Sequence, residues 1–263
     1  MPELPEVETL CRQLRQVIMG AEITKVRIID AKLGTIEGIE GKQVCGVNRY
    51  GKALAIELEG DLSLVLHFRM TGRLLWQNGN GLLPHTRLVV SFPHGRISLI
   101  DPRRFATVTF YRKGNGIPLG RDPLDDGDPS HLQEMAQHST LPIKSFLMDQ
   151  RRITGIGNIY ACEILYHARM DPWRRVNGLS LDEWKEIAEA TGKILIRAIA
   201  CRGTSVSDWR DLFGKEGEHQ EDLVVYGREG TACYSCGGII RRRKLNGRGT
   251  YYCPTCQNAE GGY

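Results

Sequence analysis

Near its C-terminal end the chain reads "CYSC" (Cys233, Cys236) and then, after 16 intervening residues, "CPTC" (Cys253, Cys256). This pattern limits the fold more than any other. Each C-x2-C pair makes a tight knuckle that offers two thiolates, and a tetrahedral zinc ion takes four. The spacing predicts one structural Zn2+ ion. Four sulfurs fill its coordination, so it has no open position for chemistry. Between the knuckles runs "IIRRRKLNGRGTYY", in which Asn246-Gly247 is a strong hairpin-turn signal. That turn sets Arg248 at the tip of a hairpin clamped by metal at its base. Arg241, Arg242, Arg243 and Lys244 lie on the incoming strand. From Tyr226 onward there are six Lys/Arg against two acids, Glu229 and Glu260. A clamped, glycine-flanked arginine tip is suited to reach phosphates.

The other four of the eight cysteines, Cys11, Cys45, Cys162 and Cys201, are scattered singly and read as small buried hydrophobes. The N-terminus carries acids rather than a basic patch and an apolar run, so it does not read as a signal peptide. No stretch approaches the roughly 20 apolar residues of a membrane span. The expectation is a cytoplasmic protein with reduced thiols and no membrane partner. A net charge of +4 over 263 residues is too small to argue for nucleic acid alone. The placement of the charge has to decide.

Val7, Leu10, Leu14, Val17 and Ile18 share one helical face, which predicts a helix over 5–19 that stops at Gly20. β-rich runs follow: "EITKVRIID", "KALAIEL", "LSLVLHF", "RLVVSF", "RISLID" and "ATVTFYR". Gly, Asn, Asp and Pro punctuate them, as in a sandwich or barrel. The Gly/Pro/Asp-dense "KGNGIPLGRDPLDDGDP" reads as a linker. Helices are expected near 131–137, 142–149 and 158–168. A long one follows the capping box "SLDE" (Ser180, Glu183), and a short one covers 205–213. Gly155, Gly157 and Asn158 open the 158–168 helix, where bare N–H groups attract anions or merely form a tight turn. The ranges are 1–112, linker 113–130, helical domain 131–225 and zinc finger 226–263.

"MPELPEVET", "DPRRF" (101–105), "GIGNIYACE" (155–163), "VYGREG" and "GRGTYYCPTCQ" together closely resemble bacterial formamidopyrimidine-DNA glycosylase, from the first residue to about Gln257. The resemblance implies an α+β multidomain fold. Its parts are an N-terminal helix with a two-sheet β-sandwich, a helix–two-turns–helix domain and a C-terminal zinc-finger hairpin. It implies a monomer that acts on damaged double-stranded DNA in base-excision repair. Oxidised purines are removed and the strand is then cut by β,δ-elimination.

The resemblance also implies that Met1 is removed, leaving Pro2 as the nucleophile. The chemistry supports that choice, because an α-amino group titrates at about 7.7–8.0 and lysine at about 10.4. A secondary amine attacking C1′ gives a cationic iminium, an electron sink. Glu3 becomes the acid/base at the sugar, and Glu6 a supporting carboxylate on the DNA-facing side. Lys52 assists elimination and touches phosphate. Arg248, also catalytic by this resemblance, grips the phosphates beside the lesion and assists the second elimination, with Asn158 its partner in holding phosphate. Met70, Arg103 and Phe105 fill the hole left by the extruded base, and His67, His85 and Arg104 contact phosphates.

The chain departs from the family in "GKEGEHQEDLVVYG" (214–227), the segment over the extruded base. Glu218-His219 stand where an aromatic pair is usual. Thr140 and Ser207 stand where basic residues are expected, and Cys162 invites the idea of sensitivity to thiol reagents. Two other readings use the same residues: an endonuclease VIII-type enzyme for oxidised pyrimidines, and a zinc protein that binds damage without catalysis.

Overall fold

The computed structural model describes residues 2–79, 81–112, 120–125 and 127–258. Much of the expected linker, residues 113–119 and 126, lies outside the described residues. The chain divides into two compact units, residues 1–117 with 199–220, and residues 118–198 with 221–263.

The first unit begins with α1 (Leu4–Ile18), which carries Pro5 in its first turn and is followed by Gly20 at φ +71°. Its apolar stripe, Val7, Leu10, Leu14 and Ile18, is fully buried. Two antiparallel sheets follow. One orders β1 (Lys25–Ile28), β6 (Thr86–Phe92), β7 (Gly95–Ile100) and β5 (Arg73–Gln77) as β1-β6-β7-β5. The other orders β2 (Val44–Tyr50), β3 (Ala53–Leu58), β4 (Leu62–His67) and β8 (Thr107–Arg112) as β2-β3-β4-β8. Leu54, Ile56, Leu64 and Leu66 from one sheet meet Leu88, Val90, Ile97 and Leu99 from the other in one core, shared with α1. This is the expected two-sheet sandwich with its helix.

Two strands lack a clean pattern in the sequence. β2 carries Gly46 and a register shift between Val44 and Gly46. β5 has no strict alternation.

The short helix expected over 205–213 does not form. Its backbone groups are spent elsewhere. Leu212 N–H donates to Gln13 Oε1 at 2.9 Å, and the Leu212 carbonyl accepts from Trp76 N–H at 2.8 Å. Asp211 Oδ1 accepts from the N–H groups of Phe213 and Lys215. Trp209 and Leu212 enter the core from an irregular segment, so tertiary packing overrides the local helical period.

The second unit contains α2 (Pro129–Ala136), α3 (Ile143–Leu147), α4 (Asn158–His167) and all but the last two residues of α5 (Leu181–Ala200). The expected capping box forms: Ser180 N–H donates to Glu183 Oε2 at 2.8 Å, and Glu183 N–H to Ser180 Oγ at 3.3 Å. Buried Trp184 tilts against Phe146, with centroids 5.6 Å apart. The chain then forms a hairpin of β9 (Arg241–Leu245) and β10 (Arg248–Tyr252). Asn246 and Gly247 both have positive φ, 48° and 75°, as a type I′ turn requires. No described helix is long and apolar enough to cross a membrane.

Candidate active site and metal centre

Pro2 is buried, and Glu3, only 3% exposed, is the N-cap of α1. Glu6, one turn on, reaches back so that its Oε2 accepts the Glu3 N–H at 2.8 Å, in the reciprocal pattern of a capping box. Its Oε1 accepts the N–H of Thr204 at 2.8 Å. Glu6 is itself buried, so this carboxylate ties the Pro2–Glu3 peptide to the 203–204 segment of the same unit. Gly203 has φ +82°, and a Cβ there would lie 2.7 Å from Glu6 Oε1, so only glycine lets the backbone come this close.

Lys52 lies in the turn between β2 and β3, and at 7% exposure it is not an ordinary solvated lysine. The β3–β4 register pairs its neighbour Ala53 with His67. Burial, with the charges of Arg69 and Lys52, pushes the His67 ring down to about 4. Its Nδ1 accepts the Arg69 N–H at 3.1 Å. The neutral ring therefore carries its proton on Nε2, a donor suited to a phosphate oxygen.

The expected hole-filling side chains occupy two loops of this unit. Met70 is 51% exposed and Phe105 45%, with the Arg103 guanidinium 4.7 Å over the Phe105 ring. Apolar side chains presented this way are not core. Sequence reasoning missed the residue that holds both loops, Asp101 of "DPRRF". Its carboxylate accepts from Thr71 Oγ1 (2.5 Å) beside Met70, and from the N–H groups of Arg103 (3.2 Å), Phe105 (2.6 Å) and Ala106 (2.6 Å). Burial pushes the Asp101 carboxyl up, but these hydrogen bonds outweigh it and hold the value below the usual carboxylate range. Its N–H donates to the carbonyl of exposed His85, which has φ +62°. Arg104 is tied to Asp30 by two hydrogen bonds, at 2.5 and 2.9 Å. The Asp30 carboxyl is held well below its usual range by Arg104 first and by Arg87 as well. Any anion reaching Arg104 would have to share that guanidinium with Asp30.

In the second unit, Gly157 is the N-cap of α4 and Asn158 its first helical residue. Asn158 Oδ1 accepts from Lys144 Nζ at 2.7 Å, while Asn158 Nδ2 donates to the Gly249 carbonyl at 3.0 Å. Lys144 is fully buried and also reaches Thr250 Oγ1 (2.8 Å) and the Gly249 carbonyl (3.2 Å). This ammonium, which no motif in the sequence flagged, fixes the strand that begins with exposed Arg248. Cys162 corrects an expectation. It is fully buried, and burial pushes its thiol up to about 11, so thiol reagents neither reach it nor find a thiolate.

The Sγ atoms of Cys233, Cys236, Cys253 and Cys256 all lie within 4.8 Å of one another. Cys233 and Cys256 are 3.8 Å apart, Cys236 and Cys253 3.5 Å. A zinc–sulfur bond of about 2.3 Å sets tetrahedral sulfurs about 3.8 Å apart, and a disulfide needs about 2.05 Å. The cluster fits one zinc ion. Tyr166 Oη lies 3.2 Å from Cys233 Sγ, and Gly238 N–H donates to Cys236 Sγ at 3.4 Å.

A helix-led sandwich with a buried N-terminal carboxylate, a helical domain and a four-cysteine hairpin define a three-module zinc-finger protein. Comparison with known proteins narrows this class. The Formamidopyrimidine-DNA glycosylase N-terminal domain matches residues 1–108, the Formamidopyrimidine-DNA glycosylase H2TH domain residues 119–209, and the zinc finger found in FPG and IleRS residues 232–259. The formamidopyrimidine-DNA glycosylase of Carboxydothermus hydrogenoformans is 37% identical over 98% of this chain and 100% of its own. The crystal structure of the MutM (Fpg) protein from Thermus thermophilus superposes with a TM-score of 0.91 at 36% identity, covering 99% of this chain and 100% of that one. Lactococcus lactis Fpg, solved in complex with DNA containing an abasic site, gives a TM-score of 0.91 at 32% identity, covering 97% of this chain and 99% of that one. The chain belongs to the formamidopyrimidine-DNA glycosylase family.

Proposed function

We propose that this protein is a bifunctional DNA glycosylase and abasic-site lyase that removes oxidised purines, 8-oxoguanine and formamidopyrimidines, from double-stranded DNA. Pro2 carries a free amine once Met1 is removed. Its nitrogen attacks C1′ of the damaged nucleoside, the bond to the base breaks, and the base leaves with the electron pair and takes a proton. The sugar ring opens to an iminium on Pro2, with Glu3 moving the proton at the ring oxygen. Loss of a C2′ proton then expels the 3′ phosphate, and a second elimination expels the 5′ phosphate. Water releases Pro2. Lys52 and His67 serve phosphate and proton transfer, Arg248 and Asn158 hold phosphate, and Met70, Arg103 and Phe105 enter the vacated stack.

The observation that carries this reading is the seating of Glu3: a buried carboxylate whose backbone N–H is held at 2.8 Å by a second buried carboxylate, directly after Pro2. Family membership and the abasic-site complex of the Lactococcus lactis relative support it. The test is borohydride trapping of Met1-free protein on a duplex with 8-oxoguanine opposite cytosine. A covalent adduct at residue 2, absent in Pro2→Gly, is the expected result. An adduct on abasic DNA alone overturns the substrate; no adduct on either duplex overturns the lyase.

A further inference from the structure

We propose that His219 is a positioning residue for the N-terminal nucleophile, acting through Thr204, Glu6 and the backbone of Glu3. The inference rests on the reading of Pro2 and Glu3 as reacting groups. Within the first unit, the His219 ring is 4% exposed and its Nδ1 lies 3.1 Å from Thr204 Oγ1. The Thr204 N–H donates to Glu6 Oε1 at 2.8 Å, and Glu6 Oε2 accepts the Glu3 N–H at 2.8 Å. That last N–H belongs to the Pro2–Glu3 peptide, so the far end of the chain of bonds sets the plane from which the Pro2 ring projects.

The ring is not loosely placed. The His219 N–H donates to the Gly203 carbonyl at 3.1 Å, and the Glu218 N–H to the Cys201 carbonyl at 2.7 Å. Gly217 donates to Ser205 Oγ at 2.9 Å. A Cβ on Gly217 would collide with the Gly203 carbonyl, so the two segments are joined backbone to backbone. The same glycine, Gly203, grazes Glu6. An imidazole offers Thr204 a polar partner that an aromatic hydrocarbon ring of similar size does not. In a buried network each such bond orients the next, so losing one end loosens the whole series.

The experiment compares His219→Phe, His219→Asn and Thr204→Val with the unaltered protein, all full-length, Met1-free and zinc-loaded. The readouts are the single-turnover rate of borohydride trapping on an abasic-site duplex, DNA affinity and melting temperature. His219→Phe keeps the ring volume and is expected to slow trapping about 10-fold or more with affinity unchanged, and to lower the melting temperature only slightly, through the loss of one buried hydrogen bond to Thr204. His219→Asn places an amide near the position of Nδ1 and is expected to restore most of the rate. Thr204→Val is expected to match His219→Phe. Trapping by His219→Phe at the unaltered rate overturns the inference and leaves the role of Pro2 standing. Equal slowing in His219→Phe and His219→Asn with a large fall in melting temperature also overturns it, because that is a packing role. Failure of the unaltered protein to trap overturns the function itself, a result distinct from both.

Discussion

Pro2 and Glu3 are seated on a helix whose apolar face merges with two sheets. Arg248 rides on a hairpin module whose buried apolar residues are few, Cys233, Ile240, Tyr252 and Cys253, with Cys162, Tyr166 and Val225 clustered against Cys233, Ile240 and Cys253. Both regions must hold one group steady, and they do so by different physics. In the first unit, hydrophobic burial supplies the rigidity, and the buried carboxylates of Glu6 and Asp101 aim backbone N–H groups. In the finger, β9 is exposed along most of its length, so burial cannot hold it. Metal coordination substitutes for a core there, as it does in small domains generally. Stability in one region is spread over many side chains; in the other it rests mainly on four thiolates, with the buried Lys144 ammonium pinning β10.

The largest effect should come from taking away the metal. Structural zinc contributes on the order of 10–16 kcal/mol in isolated fingers. Chelation, or Cys253→Ser, is expected to remove amide-exchange protection from residues 232–258, leave α1 and both sheets protected, and abolish tight DNA binding. Protection retained in β9 and β10 after complete zinc loss, read by mass spectrometry, would mean that burial holds the hairpin after all.

Next in size is Asp101→Ala. Truncating one member of a buried charged network costs roughly 3–5 kcal/mol, because the partners are left unpaired. Here the partners are Thr71, three backbone N–H groups and Arg87, at 3.4 Å. The melting temperature should fall, and the Met70 and Phe105 loops should lose exchange protection together. A fall in stability with the loops still protected would break the claim that one carboxylate organises both.

A smaller change is expected from Arg248→Ala, which deletes an exposed guanidinium and no core contact. DNA affinity should drop modestly and the slope of log K against log salt should shrink by about 0.9, the signature of one lost phosphate contact. Zinc content and melting temperature should stay as they were. An unchanged slope would show that Arg248 meets no phosphate.

Much of this division is written in local sequence. The C-x2-C spacing, the Asn246-Gly247 turn and the apolar stripe of α1 are patterns within a few residues, and each appears in the structure as expected. The missed features are long-range. Asp101 bonds to Thr71, 30 positions away, and Lys144 to Thr250, 106 positions away, and neither partner can be read from neighbours in the chain. The expected 205–213 helix failed for the same reason: Gln13 and Trp76, far along the chain, take its backbone groups. His219 looked like a gap in an aromatic pattern. Only the fold shows its ring facing Thr204.

The subtlest expected effect concerns His67, which lies at the polar end of the first unit's burial. Its folded value is about 4 against an ordinary 6.5, so between these values the unfolded chain binds a proton that the folded chain does not. Stability therefore rises with pH across that window and is lost as pH falls from 6.5 toward 4. His67→Gln should flatten that part of the stability profile. Followed by NMR, the imidazole signal of the free protein should stay constant from about pH 7.5 to about 5. A midpoint near 6.5 would show that burial and the charges of Lys52 and Arg69 do not govern the ring. Bound DNA sharpens the test. A phosphate accepting from Nε2–H brings negative charge toward the ring, which favours the imidazolium and raises its titration. An upward shift on adding DNA would identify His67 as a phosphate neighbour. No shift would leave it as a neutral prop for the turn that carries Met70.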